Sequence, residues 1–254
     1  MRVNVRVAAL AALLCSGPVA ASAPAAMPNC SFVHGEIMTA LSNPKVPLEE
    51  YHEFFDKVHL PEVVERGIGF EGAQRFHVLA SVGSAPWGYL SLYGLEPGNQ
   101  IATTGVKFRP GAQPAAAPAP YLADGSVAWI FRRVTQPDDN AGRRVECAPG
   151  QKLFVVIPKA GAPDIDVHAT LTSVPGLFSA ERYEFSKSTK GPAPGWRKMV
   201  VFRSSPDVFV PAALERLGAV VGCARGGACG QSSGAVWALE PLGNYITRPE
   251  SARN

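Results

Sequence analysis

Residues 69–93 read GFEGAQRFHVLASVGSAPWGYLSLY, and residues 176–202 read GLFSAERYEFSKSTKGPAPGWRKMVVF. In both stretches a glycine opens an aromatic-containing run. Ala-x-Arg-aromatic follows, then a Ser/Gly/Pro turn, then Trp and a second apolar run. Arg75 recurs as Arg182, Trp87 as Trp196 and Trp129 as Trp237, at intervals of 107, 109 and 108 residues. All four tryptophans therefore fall at matched places, two in each copy. Self-similarity at a fixed interval is a signal about the whole fold. An interval this long is too great for a solenoid repeat and suits two related domains of roughly 100 residues each.

Reading outward, the boundaries predict copy one over residues 29–140 and copy two over residues 150–248. In copy one, a strand is expected at 31–39 and a helix at 47–66, where Leu48, Tyr51, Phe54, Phe55 and Val58 recur at helical spacing. Pro61 is expected to end or kink that helix. Strands at 72–80 and 88–95 form a hairpin, and a last strand runs over 126–134. The Pro/Ala-rich stretch between them predicts an irregular or extended loop. Copy two repeats the pattern with strands at 152–159, 179–187, 197–204 and 234–242. Its helices fall at 164–173 and 206–218. Each copy approximates β-α-β-β-α-β, the ferredoxin-like unit. The predicted fold class is α+β, with two such units whose sheets face each other as an intramolecular α/β barrel.

Residues 1–21 have the layout of a secretory signal peptide: Arg2 and Arg6, then the apolar VAALAALLC of residues 7–15, then small residues. The apolar run is too short to span a bilayer, which takes about 20 residues. The expectation is an exported protein, periplasmic or secreted, with no integral membrane segment after processing. Losing Arg2 and Arg6 leaves 22 basic against 21 acidic residues. That near-balance offers no electrostatic case for nucleic acid. Four cysteines remain, Cys30, Cys147, Cys223 and Cys229, an even number that permits two disulfides in an oxidising compartment. Cys223–Cys229 closes a short loop. Cys30 and Cys147 each precede the first strand of a copy and make the natural second pair. Their spacing is not that of a metal site, and no metal or cofactor is expected. Asn29-Cys30-Ser31 also fits the glycosylation acceptor pattern.

Residues 50–79, EYHEFFDKVHLPEVVERGIGFEGAQRFHVL, followed by 85–96, APWGYLSLYGLE, carry a further likeness. An aromatic-rich helix ending in His-x-Pro, then Gly-Phe-x-x-Ala-x-Arg-aromatic, then Tyr-Leu-x-Leu-Tyr resembles the dimeric α/β-barrel superfamily, particularly its EthD-like members. The resemblance implies the barrel fold. It leaves function open, because that superfamily includes cofactor-free monooxygenases, polyketide cyclases, lactone isomerases and haem enzymes. With both copies on one chain, the barrel is expected within a monomer of pseudo-dimeric fold, or within a higher homo-oligomer.

Strand alternation sorts the candidate residues by face. Leu90, Leu92, Met199 and Val201 form an apolar set expected to face the helices. Tyr89, Ser91 and Tyr93, with Arg75 and His77, form a mixed set expected to line a cavity between the sheets. His59, at the His-x-Pro position that the resemblance marks for proton transfer, and His77 are the candidate acid and base. Tyr89 or Tyr93 is expected to polarise a carbonyl. Tyr93, Arg75, Trp87 and Trp129 are candidate substrate contacts, with a structural ion pair to Glu184 or Glu71 as the rival role for Arg75. The expected function is cofactor-independent proton-transfer chemistry on a small, apolar, oxygenated compound of phenolic or polyketide-like type: cyclisation, isomerisation, dehydration or lyase cleavage. The alternative is a non-catalytic protein that holds such a ligand.

Overall fold

The computed structural model describes residues 35–111, 117–134, 150–223 and 234–249. In the first half, β1 (Glu36–Ser42) leads to α1 (Leu48–Phe54), a π-helical turn (Phe55–His59) and α2 (Leu60–Arg66). The hairpin β2 (Phe70–Val82) and β3 (Tyr89–Leu95) follows, then a single turn, α3 (Ile101–Thr104), and β4 (Val127–Val134). The second half runs β5 (Leu153–Ile157), α4 (Val167–Ser173), β6 (Leu177–Lys190), β7 (Lys198–Ser204), α5 (Val210–Val220) and β8 (Ala235–Thr247). Element order thus follows the expected pattern in both halves. The first strand lies later than the predicted 31–39, and residues 31–34 lie outside the described region. Among the described residues, no helix is long and apolar enough to cross a membrane.

The strands are antiparallel and close into one barrel in the order β1-β3-β2-β8-β5-β7-β6-β4. Within each half the order is the ferredoxin-like one: β4-β1-β3-β2 in the first and β8-β5-β7-β6 in the second. Closure comes from two reciprocal seams. The long β2 pairs with β8, and the long β6 pairs with β4. The glycines that open the two similar stretches, Gly69 and Gly176, both take φ of 86°, a left-handed turn that suits a residue without Cβ.

An eight-stranded barrel has an interior just wide enough for side chains to fill. Here Phe76, Leu90, Leu92, Phe131, Val155, Tyr183, Met199, Val201 and Leu239 fill it. The face assignment made from the sequence is therefore inverted. Leu90, Leu92, Met199 and Val201 point into the barrel. Tyr89 and Tyr93 pack beneath α1 and α2, and Val200 and Phe202 beneath α4 and α5. The physical reason is that strands in this barrel are buried on both faces, so the more apolar face need not be the helix-facing one.

The four tryptophans close a ring inside this core. Trp87–Trp129, Trp129–Trp196, Trp196–Trp237 and Trp237–Trp87 meet at centroid distances of 5.5, 5.6, 6.4 and 6.2 Å, each edge to face. Trp129 donates its indole N–H to Pro192 O at 2.8 Å, and Trp237 donates to Ser84 O at 2.9 Å. The last strand of each half thus reaches the hairpin loop of the other half. Trp87 and Trp129, expected at a substrate site, are packing and closure residues of the barrel.

Candidate functional site

Pro61 does not end its helix. Proline lacks the N–H for an i→i−4 bond, and its ring crowds the carbonyl of residue i−4, here Lys57. The chain widens just before it: Leu60 N–H bonds to Phe55 O, five residues back, and Phe55–His59 form a π turn. Such one-turn bulges are frequent at functional sites. This one carries Asp56 and His59 three residues apart.

Asp56 holds Arg75, which is almost fully buried under the helix. Arg75 Nη1 donates to Asp56 Oδ1 at 2.6 Å, and Nη2 donates to Nδ1 of His52 at 3.1 Å. That second bond leaves the proton of neutral His52 on Nε2. The guanidinium also lies 4.9 Å from the Tyr51 ring centroid, 5.1 Å from Phe55 and 5.8 Å from Tyr89. Arg75 therefore clamps the π turn to the sheet. Its ion-pair partner is Asp56 rather than the expected Glu184 or Glu71, because its face of β2 looks toward the helix. Asp56→Asn should destabilise the fold by about 2 kcal/mol. That is below the roughly 3–5 kcal/mol of a fully buried pair, because the Asp56 side chain is 43% exposed. Urea unfolding of the variant is the check, and a loss within 0.5 kcal/mol, the usual scatter of surface changes, would show the clamp to be dispensable.

In the second half, α5 covers the outer face of the sheet, with Ala213, Leu214, Leu217 and Val221 packed on Phe154, Val156, Val200 and Phe202. Among the described residues, the first half has the short α3 and a 3-10 turn at Ala119–Tyr121 in the matching connection. A cavity of about 510 Å³ lies there. Its floor is Met38, Ala40 and Ser42 of β1 with Ser91 and Tyr93 of β3. Phe55, His59 and Val63 of the helix form one wall, and Ile101, Val106, Phe108 and Leu122 of the connection form another. Lys187–Lys190, at the end of β6, complete it from the other half of the chain.

Of the residues expected at a site, the structure brings His59 and Tyr93 to this cavity. Burial, reinforced by the nearby Arg75 charge, lowers the pKa of His59 to about 4, so its ring is neutral at pH 7. Its Nδ1 is buried and has no hydrogen-bond partner among the described residues. The ring packs on Phe54 and Phe55. Burial raises the pKa of Tyr93, with partial offset from Ser91 and Arg75, so the phenol stays protonated. Tyr89 and His77 sit together beneath the helix, centroids 5.3 Å apart, beside Arg75 and outside the cavity lining. The expected inter-sheet cavity is absent among the described residues, since side chains fill the barrel. Of the mixed face, Ser91 and Tyr93 reach a cavity on the helix side, and Arg75, His77 and Tyr89 do not line it.

Sequence reasoning missed Ser42, Phe55, Phe108 and the lysines of β6. The available signal was the Pro/Ala-rich stretch, read as a loop, at the place where the second half has the helix expected at 206–218. Cys223 is buried and disulfide-bonded. Cys30, Cys147, Cys229 and the Asn29 acceptor pattern lie outside the described residues.

The fold is thus an α/β barrel of two ferredoxin-like units, similar to the dimeric α/β-barrel proteins. No protein-family model and no curated protein matches the sequence. Among solved structures, an anthrone oxidase-like protein is similar, with a TM-score of 0.50 and 12% identity over 85% of this chain and 94% of that one. A candidate monooxygenase from Fusobacterium nucleatum gives a TM-score of 0.43 at 11% identity, over 84% of this chain and 95% of that one.

Proposed function

We propose that the protein binds a small, flat, apolar oxygenated compound in the cavity of the first half and moves a proton on it, with His59 as the base. The observation that carries this reading is a histidine held neutral on the wall of an apolar cavity, its buried Nδ1 without a hydrogen-bond partner among the described residues. A volume of about 510 Å³ falls within the roughly 300–1,000 Å³ typical of small-molecule pockets. Phe55, Phe70, Phe108 and Tyr93 suit an aromatic ligand.

The environments of the two titratable groups push their pKa values apart, which separates an acceptor from a donor. Neutral His59 accepts a proton from an acidic C–H or O–H of the ligand. Tyr93 donates a hydrogen bond to the oxygen on which negative charge develops. The imidazolium and the ligand anion then form a close pair, which offsets the cost of creating charge in an apolar site. An anthrone, a tricyclic aromatic ketone with an acidic C–H, belongs to this class of compound. The fold neighbour's name is a lead to that class. We also propose export after removal of residues 1–21, a tandem origin for the halves 29–140 and 150–248, and Cys30–Cys147 and Cys223–Cys229 as the disulfides. N-terminal sequencing and peptide mapping without reduction test these assignments.

The binding test uses anthrone and 2-naphthol, titrated into the mature protein by calorimetry. Ala40→Phe, which places a ring on the cavity floor, should weaken binding at least tenfold while the protein still melts cooperatively. Unchanged binding in that variant would move the ligand elsewhere. Chromatography of the same mixtures separates turnover from mere binding.

A further inference from the structure

The cavity is chemically lopsided. Lys187 and Lys190 are its charged lining residues at neutral pH among the described positions, and no Asp or Glu lines it. Both lysines are exposed. Lys190 is tethered at the mouth by a 2.6 Å hydrogen bond to Ser126 Oγ. The hydroxyls between them are turned to the backbone: Ser188 donates to Gly191 O at 2.7 Å, and Thr189 to Ala128 O at 3.2 Å. Lys187 makes no ion pair among the described residues. Two exposed cations therefore mark one end, with no carboxylate lining the cavity among the described residues, while the rest of the lining presents Phe55, Phe70, Tyr93 and neutral His59.

We infer that the ligand is an aromatic carboxylic acid, its ring seated against His59 and Tyr93 and its carboxylate held at the mouth by Lys187 and Lys190. This rests on the cavity being the ligand site. Orientation follows from desolvation. A carboxylate driven to the apolar end would be an uncompensated buried charge, whereas at the mouth it keeps water and gains two cations. The inference also gives the second half a role. Its sheet has α5 in place of a cavity, and its extended β6 crosses the seam to supply the anion-recognising rim of the first half's site.

The experiment compares each acid with its own methyl ester, which keeps the shape and loses the charge. The probes are 2-naphthoate and anthraquinone-2-carboxylate, titrated into the mature protein and into a Lys187→Met/Lys190→Met variant that should melt like wild type. Rim charges act through high dielectric, so the expected preference for acid over ester is modest, roughly three- to tenfold at low salt. It should shrink at about 0.5 M salt, as the Debye length contracts. The double variant should bind the esters as wild type does and lose the preference for acids. Equal binding of acid and ester by wild type, or a preference that survives in the variant, would overturn the carboxylate assignment and leave the cavity standing. Failure of acids and esters alike, or ester binding indifferent to Ala40→Phe, would instead remove the cavity reading and this inference with it.

Discussion

His59→Gln should lower turnover about 10²–10⁴-fold, the usual contribution of a positioned general base and equivalent to about 3–5 kcal/mol of barrier. The substitution keeps a polar side chain of similar reach but removes the titratable nitrogen. A role in binding alone would raise KM and leave kcat intact, so the two constants separate the possibilities. Stability supplies an independent readout. The folded-state pKa of His59, about 4, lies below its ordinary 6.5, so the unfolded chain binds the proton more tightly. The stability held above pH 6.5 should fall as the pH drops toward 4, by up to ~3 kcal/mol, and level off below that. In His59→Gln this component should vanish. An unchanged pH profile of stability would mean that the ring is not held neutral by burial.

Trp129→Ala should be the most destabilising of the proposed changes. Trp129 is 3% exposed and contacts Trp87, Phe131 and Trp196, and truncating a buried Trp typically costs about 3–5 kcal/mol. The change also strips Pro192 O of its donor, which adds about 1 kcal/mol if water does not replace it. For a chain of this size the melting point should fall by roughly 10 °C. Trp237→Ala, which removes the reciprocal bond to Ser84, should behave alike. Because the ring ties the last strand of each half to the other half's hairpin, the loss should appear as one cooperative transition at lower temperature. A loss under 1 kcal/mol at either position would show that the ring is ornament to a barrel closed by its β2–β8 and β4–β6 seams.

The order of strands and helices could be read from residues 69–93 and 176–202 because alternation, turn glycines and aromatic positions are local properties that appear twice. His59 was marked by the His-x-Pro resemblance and Tyr93 by strand alternation, and both line the cavity. The partner of each face was not. Period 2 separates Leu90 and Leu92 from Tyr89, Ser91 and Tyr93, but says nothing about what lies opposite when both faces are buried. Arg75 shows the same limit. Its recurrence as Arg182 suggested an ion pair, yet the carboxylate it meets is Asp56, brought near by a π turn that Pro61 imposes.

By itself, then, the sequence determined the order of elements in two similar halves and pointed to two of the groups that meet at the cavity, because these follow from backbone periodicity and local chemistry. Only the tertiary structure decided that the apolar strand faces close on one another in the barrel, that the four tryptophans join as a ring across its two seams, and that the cavity opens outside the barrel. The cavity lies where, among the described residues, the first half has the short α3 in place of a helix like α5 over its sheet. Its rim comes from β6 of the other half, a juxtaposition created by barrel closure between residues too far apart in the chain for any local pattern to connect.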